Sequence, residues 1–292
     1  MKLREIAECL EKYASLQLQE SYDNSGLILG DPEAVISKAL VCLDITVEVL
    51  NEAISRKFKL IISHHPLIFG EIKKITPSNI TGNCIMQAIK NDIAIYALHT
   101  NLDAIDNGVN AELCRKLGLK NCKVLKPAKN LLRKLVTFCP TDKAEVVRQS
   151  LFEAGAGHIG NYDSCSYNIE GYGTFRGLEN ANPYVGEINK IHNEPETRIE
   201  VIYPVYVQPK VLAALFSSHP YEEVAYDIYL LENEFSKAGA GMIGELETEK
   251  DTIDFLGGLK KLLGIKVIRH SRITLNTVKR IAVCGGSGSF LI

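Results

Sequence analysis

The stretch Lys59-Leu-Ile-Ile-Ser-His-His-Pro-Leu-Ile-Phe69 decides the fold. Leu60, Ile61 and Ile62 make a short apolar, β-branched run of the kind that forms a strand buried on both faces, and Pro66 ends it. Two adjacent imidazoles, His64 and His65, therefore stand where the strand gives out. In an open α/β sheet, that carboxyl edge is where ligands bind. The flanking sequence repeats the pattern. Residues 38–43 read as a strand ending at Asp44, and residues 93–98 as a strand ending at His99, with Asp103 four residues on. Helical stretches are expected at 47–57, 84–91 and 109–117, the last stopped by Gly118, and Leu3, Ile6, Ala7, Leu10 and Tyr13 recur at helical spacing before them. Strands alternating with helices of about a dozen residues predict βαβ units and a largely parallel sheet.

From about residue 130 the pattern changes. Strands are expected at 132–139, near 163–169, at 197–203 and at 225–231, with helices at 142–154 and 208–217. That order, βαββαβ, is the ferredoxin-like arrangement. The expected organisation is an α/β metal-binding domain made of residues 1–128 and 235–292, interrupted by an inserted ferredoxin-like domain at 129–234. Beyond it come a helix at 254–263, a short strand at 266–268 and an apolar strand at 279–284. This last strand runs into Gly285-Gly-Ser-Gly-Ser289, a turn of the sort that opens a βα unit, and the sequence ends three residues later. The reading is of a chain cut short before that unit is complete. The turn lacks the Lys-Ser/Thr ending of a P-loop and the dinucleotide spacing, so it reads as structural. Ala154-Gly-Ala-Gly-His-Ile-Gly160 and Ala238-Gly-Ala-Gly-Met-Ile-Gly244 echo each other and are read as similar turns.

The 292 residues suffice for two domains with a substantial core. A net charge of −2 gives no electrostatic reason to expect nucleic-acid binding. The eight cysteines include no C-x-x-C pair, which argues against a zinc ribbon or a redox motif. No apolar stretch approaches membrane-spanning length, and the start of the chain lacks a signal-peptide core. The simplest address is a reducing cytoplasm.

Neutral imidazole together with carboxylate suits zinc, iron, manganese or nickel. A lone histidine is more often a hydrogen-bonded loop residue, and Asp44 ahead of Thr46 and Val47 fits a helix cap. Two adjacent histidines plus His99-Thr-Asn-Leu-Asp103 at the end of a second strand turn the balance to metal. Neighbouring residues of a strand face opposite ways, so either the backbone turns between His64 and His65 or the two address different ions. His64, His65 and Asp103 suffice for one open site, and a second ion needs ligands from elsewhere. His219-Pro-Tyr-Glu-Glu223 is a weaker His/Glu cluster, since solvated acidic loops are common. There is no Gly-x-Ser-x-Gly elbow, and no cysteine stands out as a nucleophile.

The stretches Tyr22-Asp-Asn-Ser-Gly-Leu27, Leu60 to Phe69, Leu98-His-Thr-Asn-Leu-Asp-Ala104 and Ile281-Ala-Val-Cys-Gly-Gly-Ser-Gly288 resemble the Nif-three-like family. These are dinuclear metal-centre proteins known as GTP cyclohydrolase type-two homologues. Gly155 to Asp163, Asn182 to Glu187 and His219 to Asp227 look like the inserted domain of the longer bacterial members, similar to P-two and CutA. The resemblance implies His64, His65 and Asp103 as metal ligands; His99 and Asp44 are candidates for groups behind them. It also implies two divalent ions (zinc, iron or manganese) inside a toroidal homohexamer. The family draws its remaining ligands from a carboxyl-terminal His and Glu, before which this sequence stops. The implied function is a metal-dependent hydrolase of cyclohydrolase type acting on a nucleotide. The rival is a non-enzymatic metal-binding scaffold or regulatory protein. Catalytic and substrate-binding residues are left unassigned.

Overall fold

In the computed structural model, which describes residues 1–291, the run that opens this reading is a strand covered on both sides. The first elements are α1 (Leu3–Tyr13), β1 (Gly26–Leu29), β2 (Ala39–Cys42), α2 (Val47–Ser55) and β3 (Leu60–Ser63). They are followed by α3 (Ile80–Lys90), β4 (Ala94–Ala97), α4 (Thr100–Ala104), α5 (Val109–Lys116) and β5 (Lys120–Ala128). Successive strand residues point to opposite faces. Leu60 accordingly packs with Leu3, Ala14 and Tyr96 under α1, and Ile61 packs with Leu50, Ala53, Ala88 and Ile95 under α2 and α3. Both are fully buried, which is why the run carries no polar residue. Asn79 accepts from the backbone N–H of Gly82 at 2.7 Å, and this cap starts α3 at Ile80, ahead of the expected 84.

The strand order is β1-β4-β3-β2, with β2, β3 and β4 parallel and β1 antiparallel to β4. The expectation of a largely parallel sheet therefore needs correction. Only the three strands joined through α2 and α3 are parallel, because parallel pairing needs a crossover, whereas an antiparallel edge does not.

The chain divides into two compact units, residues 1–127 with 237–292, and residues 128–236. The second contains β6 (Leu132–Pro140), α6 (Ala144–Glu153), β7 (Tyr167–Phe175), β8 (His192–Pro204), α7 (Gln208–Ser218) and β9 (Tyr226–Leu231). Its sheet, ordered β7-β8-β6-β9, is antiparallel throughout. Ile199, Val201 and Tyr203, at period two, meet Val147 and Leu151 of α6 and Val211 and Leu215 of α7 in one core. The edge strand β7 lies later than expected, at 167–175 instead of 163–169; its exposed Tyr-Asn-Ile-Glu-Gly-Tyr-Gly run carries little periodic signal.

His219 is buried at the end of α7. Its Nε2–H donates to the Phe138 carbonyl at 2.9 Å, and its Nδ1 accepts from the Tyr221 N–H at 3.1 Å. Both ring nitrogens are taken by backbone, so this histidine is a structural tie and not a ligand. Burial pushes its pKa down, with the Phe138 carbonyl and Glu196 opposing. A lowered folded-state value means stability that is complete above the unfolded histidine pKa of about 6.5 and lost as pH falls below it. Thermal melts across pH 8 to pH 5 are expected to show this loss, and His219→Gln is expected to flatten that part of the profile.

The first unit resumes with β10 (Phe235–Asp251), α8 (Thr252–Leu262) and β11 (Thr277–Val283), forming a second sheet ordered β11-β10-β5, with β10 and β11 antiparallel. The second glycine echo, residues 238–244, is therefore strand and not turn. A Cβ on Gly239 would lie 2.1 Å from the Lys126 carbonyl oxygen of β5. The glycine marks a close approach of two backbones. Residues 266–268 form no strand. No described helix is long and apolar enough to cross a membrane.

Candidate metal centre

The three parallel strands end at one edge of their sheet, and the polar residues follow directly. Asp44 lies just beyond β2, His64 and His65 just beyond β3, and His99 between β4 and α4. The backbone N–H groups of His64 and His65 donate to the carbonyls of Cys42 and Leu43 at 3.1 and 2.9 Å, so the chain is still tied to the β2 segment as it leaves the strand. The neighbouring rings nevertheless converge. Ring centroids are 5.0 Å apart for His64 and His65, 5.3 Å for His64 and His99, and 5.5 Å for His65 and His99. One donor atom from each of the three lies within 4.8 Å of the others.

Hydrogen bonds on the far side of each ring decide which nitrogen faces inward. His64 Nδ1 is 2.8 Å from the Leu98 carbonyl, which only accepts, so Nδ1 must carry the proton. His65 Nδ1 donates in the same way to Asp44 Oδ1 at 2.7 Å, and His99 Nδ1 to Asp23 Oδ1 at 2.7 Å. In the neutral rings this leaves each Nε2 with a free lone pair, the arrangement by which metal-binding histidines are oriented. Burial would favour a protonated Asp23. Hydrogen bonds from Thr100, His99, Ser25 and the Asn24 N–H outweigh it and hold the carboxyl at about 2, so it is an anion at neutral pH.

Asp103 stands beside the imidazoles. Its Oδ1 lies 3.9 Å from His64 Nε2 and is a buried oxygen without a hydrogen-bond partner among the described residues. Burial raises its pKa, with the facing imidazoles of His64, His99 and His65 working the other way. A buried acceptor without a donor, beside imidazoles whose lone pairs are also free, is costly unless a cation shares the space. The three clustered imidazole nitrogens, with this oxygen beside His64, are donors of the types that suit a divalent ion.

Thr46, not Asp44, caps α2, through the Val49 N–H at 3.3 Å, which leaves Asp44 to His65. His99, expected behind the ligands, stands among the clustered imidazoles. Asp23 has no role assigned from sequence, although it lies in the stretch Tyr22 to Leu27 that carries the resemblance; nothing local connects it to a histidine 76 residues away. The glycine turn after β11 also reaches the site. Asn110 donates to the Asp103 carbonyl at 2.9 Å and accepts from the Gly285 N–H at 2.7 Å. A cavity of about 260 Å³ opens there, walled by Tyr22, Phe69, His99, Asp103, Gly286 and Phe290.

A cluster of imidazoles and a carboxylate at the carboxyl edge of parallel strands defines the class: an α/β protein with a candidate metal site. Over residues 1–292 the sequence matches the Duf34/NIF3 (NGG1p interacting factor 3) family, and the chain belongs to it. It is 38% identical over 287 residues to the GTP cyclohydrolase 1 type 2 homolog of Bacillus subtilis, spanning 98% of this chain and 77% of that protein. The homolog from Halalkalibacterium halodurans is also 38% identical, over 285 residues, with 97% and 77% covered. Among solved structures, a Bacillus cereus protein related to NIF3 superposes with a TM-score of 0.86 at 40% identity, over 99% of this chain and 77% of that one. A Staphylococcus aureus protein superposes at 0.74 and 31%, over 99% and 76%.

Proposed function

We propose that the protein is a metal-dependent hydrolase of the cyclohydrolase kind, with its centre on His64, His65, His99 and Asp103. The observation that carries this reading is the set of three clustered imidazoles, each held through Nδ1 by an outer acceptor, beside an Asp103 Oδ1 that has no hydrogen-bond partner among the described residues. A divalent ion (zinc, iron or manganese) held there would supply Lewis acidity and a water that is nucleophilic at neutral pH. The chain's own residues prepare for it: Leu98, Asp44 and Asp23 fix the rings, and a partly apolar cavity lies beside Asp103. The names of the curated relatives support a nucleotide as substrate. The dinuclear form of the centre needs donors beyond these four.

Two further parts of the reading concern assembly and address. Residues 128–236 are proposed as a ferredoxin-like insert of the P-two/CutA kind, supported by the βαββαβ element order and the antiparallel order β7-β8-β6-β9. A homohexamer and a cytoplasmic location complete it, the latter supported by eight free cysteines.

Protein purified without chelator is expected to contain at least one transition-metal ion per chain by elemental analysis and to hydrolyse GTP in a chelator-sensitive way. Metal-free protein that also fails to take up zinc, iron or manganese would overturn the reading.

A further inference from the structure

One carboxylate near the centre is bonded unlike any other there. The side chain of Asp23 is fully enclosed, and both of its oxygens are saturated. Oδ1 accepts from the Asn24 N–H at 2.6 Å and from His99 Nδ1 at 2.7 Å. Oδ2 accepts from the Thr100 N–H at 3.0 Å, from Ser25 Oγ at 2.9 Å and from the Thr100 hydroxyl. Thr100 is the first residue of α4, whose N-cap is His99 and which receives no cap from that side chain. Asp23 supplies it from 77 residues away. Ser25 extends the clamp, its Oγ accepting from the His99 N–H at 3.3 Å.

The consequence is geometric. Oδ1 sets the ring orientation of His99, and Oδ2 fixes the first turn of the short helix that carries Asp103. We propose that Asp23 is the positioning residue of the metal centre, holding one nitrogen donor and one oxygen donor in register through a single buried carboxylate. The inference rests on the metal reading above. Asp44 makes the comparable bond to His65, but that pair is about half exposed, so water competes for it. His64 is held by a neutral carbonyl. Outer partners of metal-binding histidines are worth roughly 10–100-fold in affinity, and an enclosed anion serving two donors belongs at the upper end.

The test is Co²⁺ titration of the metal-depleted full chain by equilibrium dialysis, with the visible ligand-field spectrum recorded for wild type, Asp23→Asn and Asp44→Asn. Asp23→Asn is expected to weaken binding by about 10–100-fold and to alter the spectrum, with Asp44→Asn affected less. Wild-type affinity and spectrum in Asp23→Asn would overturn the proposal, even if its metal-free melting temperature falls, since that is all a purely structural carboxylate would show. If Asp23→Asn does not fold, Thr100→Val decides: several-fold weaker binding supports the clamp, and unchanged binding overturns it. Wild type that binds no cobalt would instead remove the metal reading itself.

Discussion

His64→Ala is expected to leave the chain folded and to strip it of metal. The His64 ring adjoins every other group of the site: its centroid is 5.0 Å from His65 and 5.3 Å from His99, and its Nε2 is 3.9 Å from Asp103 Oδ1. Removing it deletes one donor and takes away the group that faces the orphaned carboxylate oxygen. Metal affinity should fall by more than the roughly 10–100-fold that outer partners are worth. The cost to folding is small by comparison. One hydrogen bond to the Leu98 carbonyl is lost, about 1 kcal/mol, from a ring that is itself partly exposed. Elemental analysis and a melting curve on the same preparation separate the two effects. They also separate a catalytic centre from a scaffold. With a catalytic ion the metal is lost while the melting temperature holds, whereas a structural ion takes stability with it. Wild-type metal content in this variant would mean that the donors lie elsewhere.

Asp103→Asn provides a check of sign on the same site. The amide keeps the shape but removes the charge and half of the acceptor capacity, so binding should weaken without the cavity being reshaped. Because Asp103 Oδ1 is buried without a hydrogen-bond partner among the described residues, the metal-free variant is expected to melt at or slightly above the wild-type temperature.

How much of this is written locally in the sequence can be judged residue by residue. β3 and the histidines at its end were legible because burial on both faces demands an unbroken apolar run, and Leu60 and Ile61 answer to two different cores. β4 was legible for the same reason, whereas β2 is an edge strand with Val41 exposed and was legible only as a short apolar run. Direction at the edge was not: whether β1 runs with or against β4 depends on which strand it meets, and its own composition does not record that. The orienting carboxylates were partly visible, Asp44 through its place after a strand and Asp23 not at all, since its partners His99 and Thr100 come into reach only when β1 pairs with β4. The short helix α4 escaped because five residues show no periodicity.

The glycines of β10 were the most misleading feature, and one of them carries a large expected loss of stability. Gly239 has φ +155°, and a Cβ there would meet the Lys126 carbonyl oxygen at 2.1 Å, Val124 Cγ1 at 2.8 Å and Pro127 Cα at 2.9 Å. Two of these three contacts are backbone atoms, which have no rotamer to turn aside, so β5 and β10 must separate. Overpacking of this sort costs about 1–3 kcal/mol, and an unfavourable backbone conformation adds about as much again. Gly239→Ala is therefore expected to destabilise the protein by roughly 3 kcal/mol or more, seen as a lower denaturation midpoint at unchanged m-value. The damage should extend to the site. The adjoining Lys237 carbonyl accepts from the Asp106 N–H at 3.0 Å, and Ala238 bridges Ile105, immediately after α4 and its Asp103. Gly257, inside α8 with nothing within 4 Å of its would-be Cβ, is the opposite case. Gly257→Ala trades a flexible residue for the best helix former and should raise stability by about 0.5–1 kcal/mol. The same substitution is thus expected to have opposite signs at two glycines of one unit, because in β10 the missing side chain is room for another strand and in α8 it is only lost helix propensity.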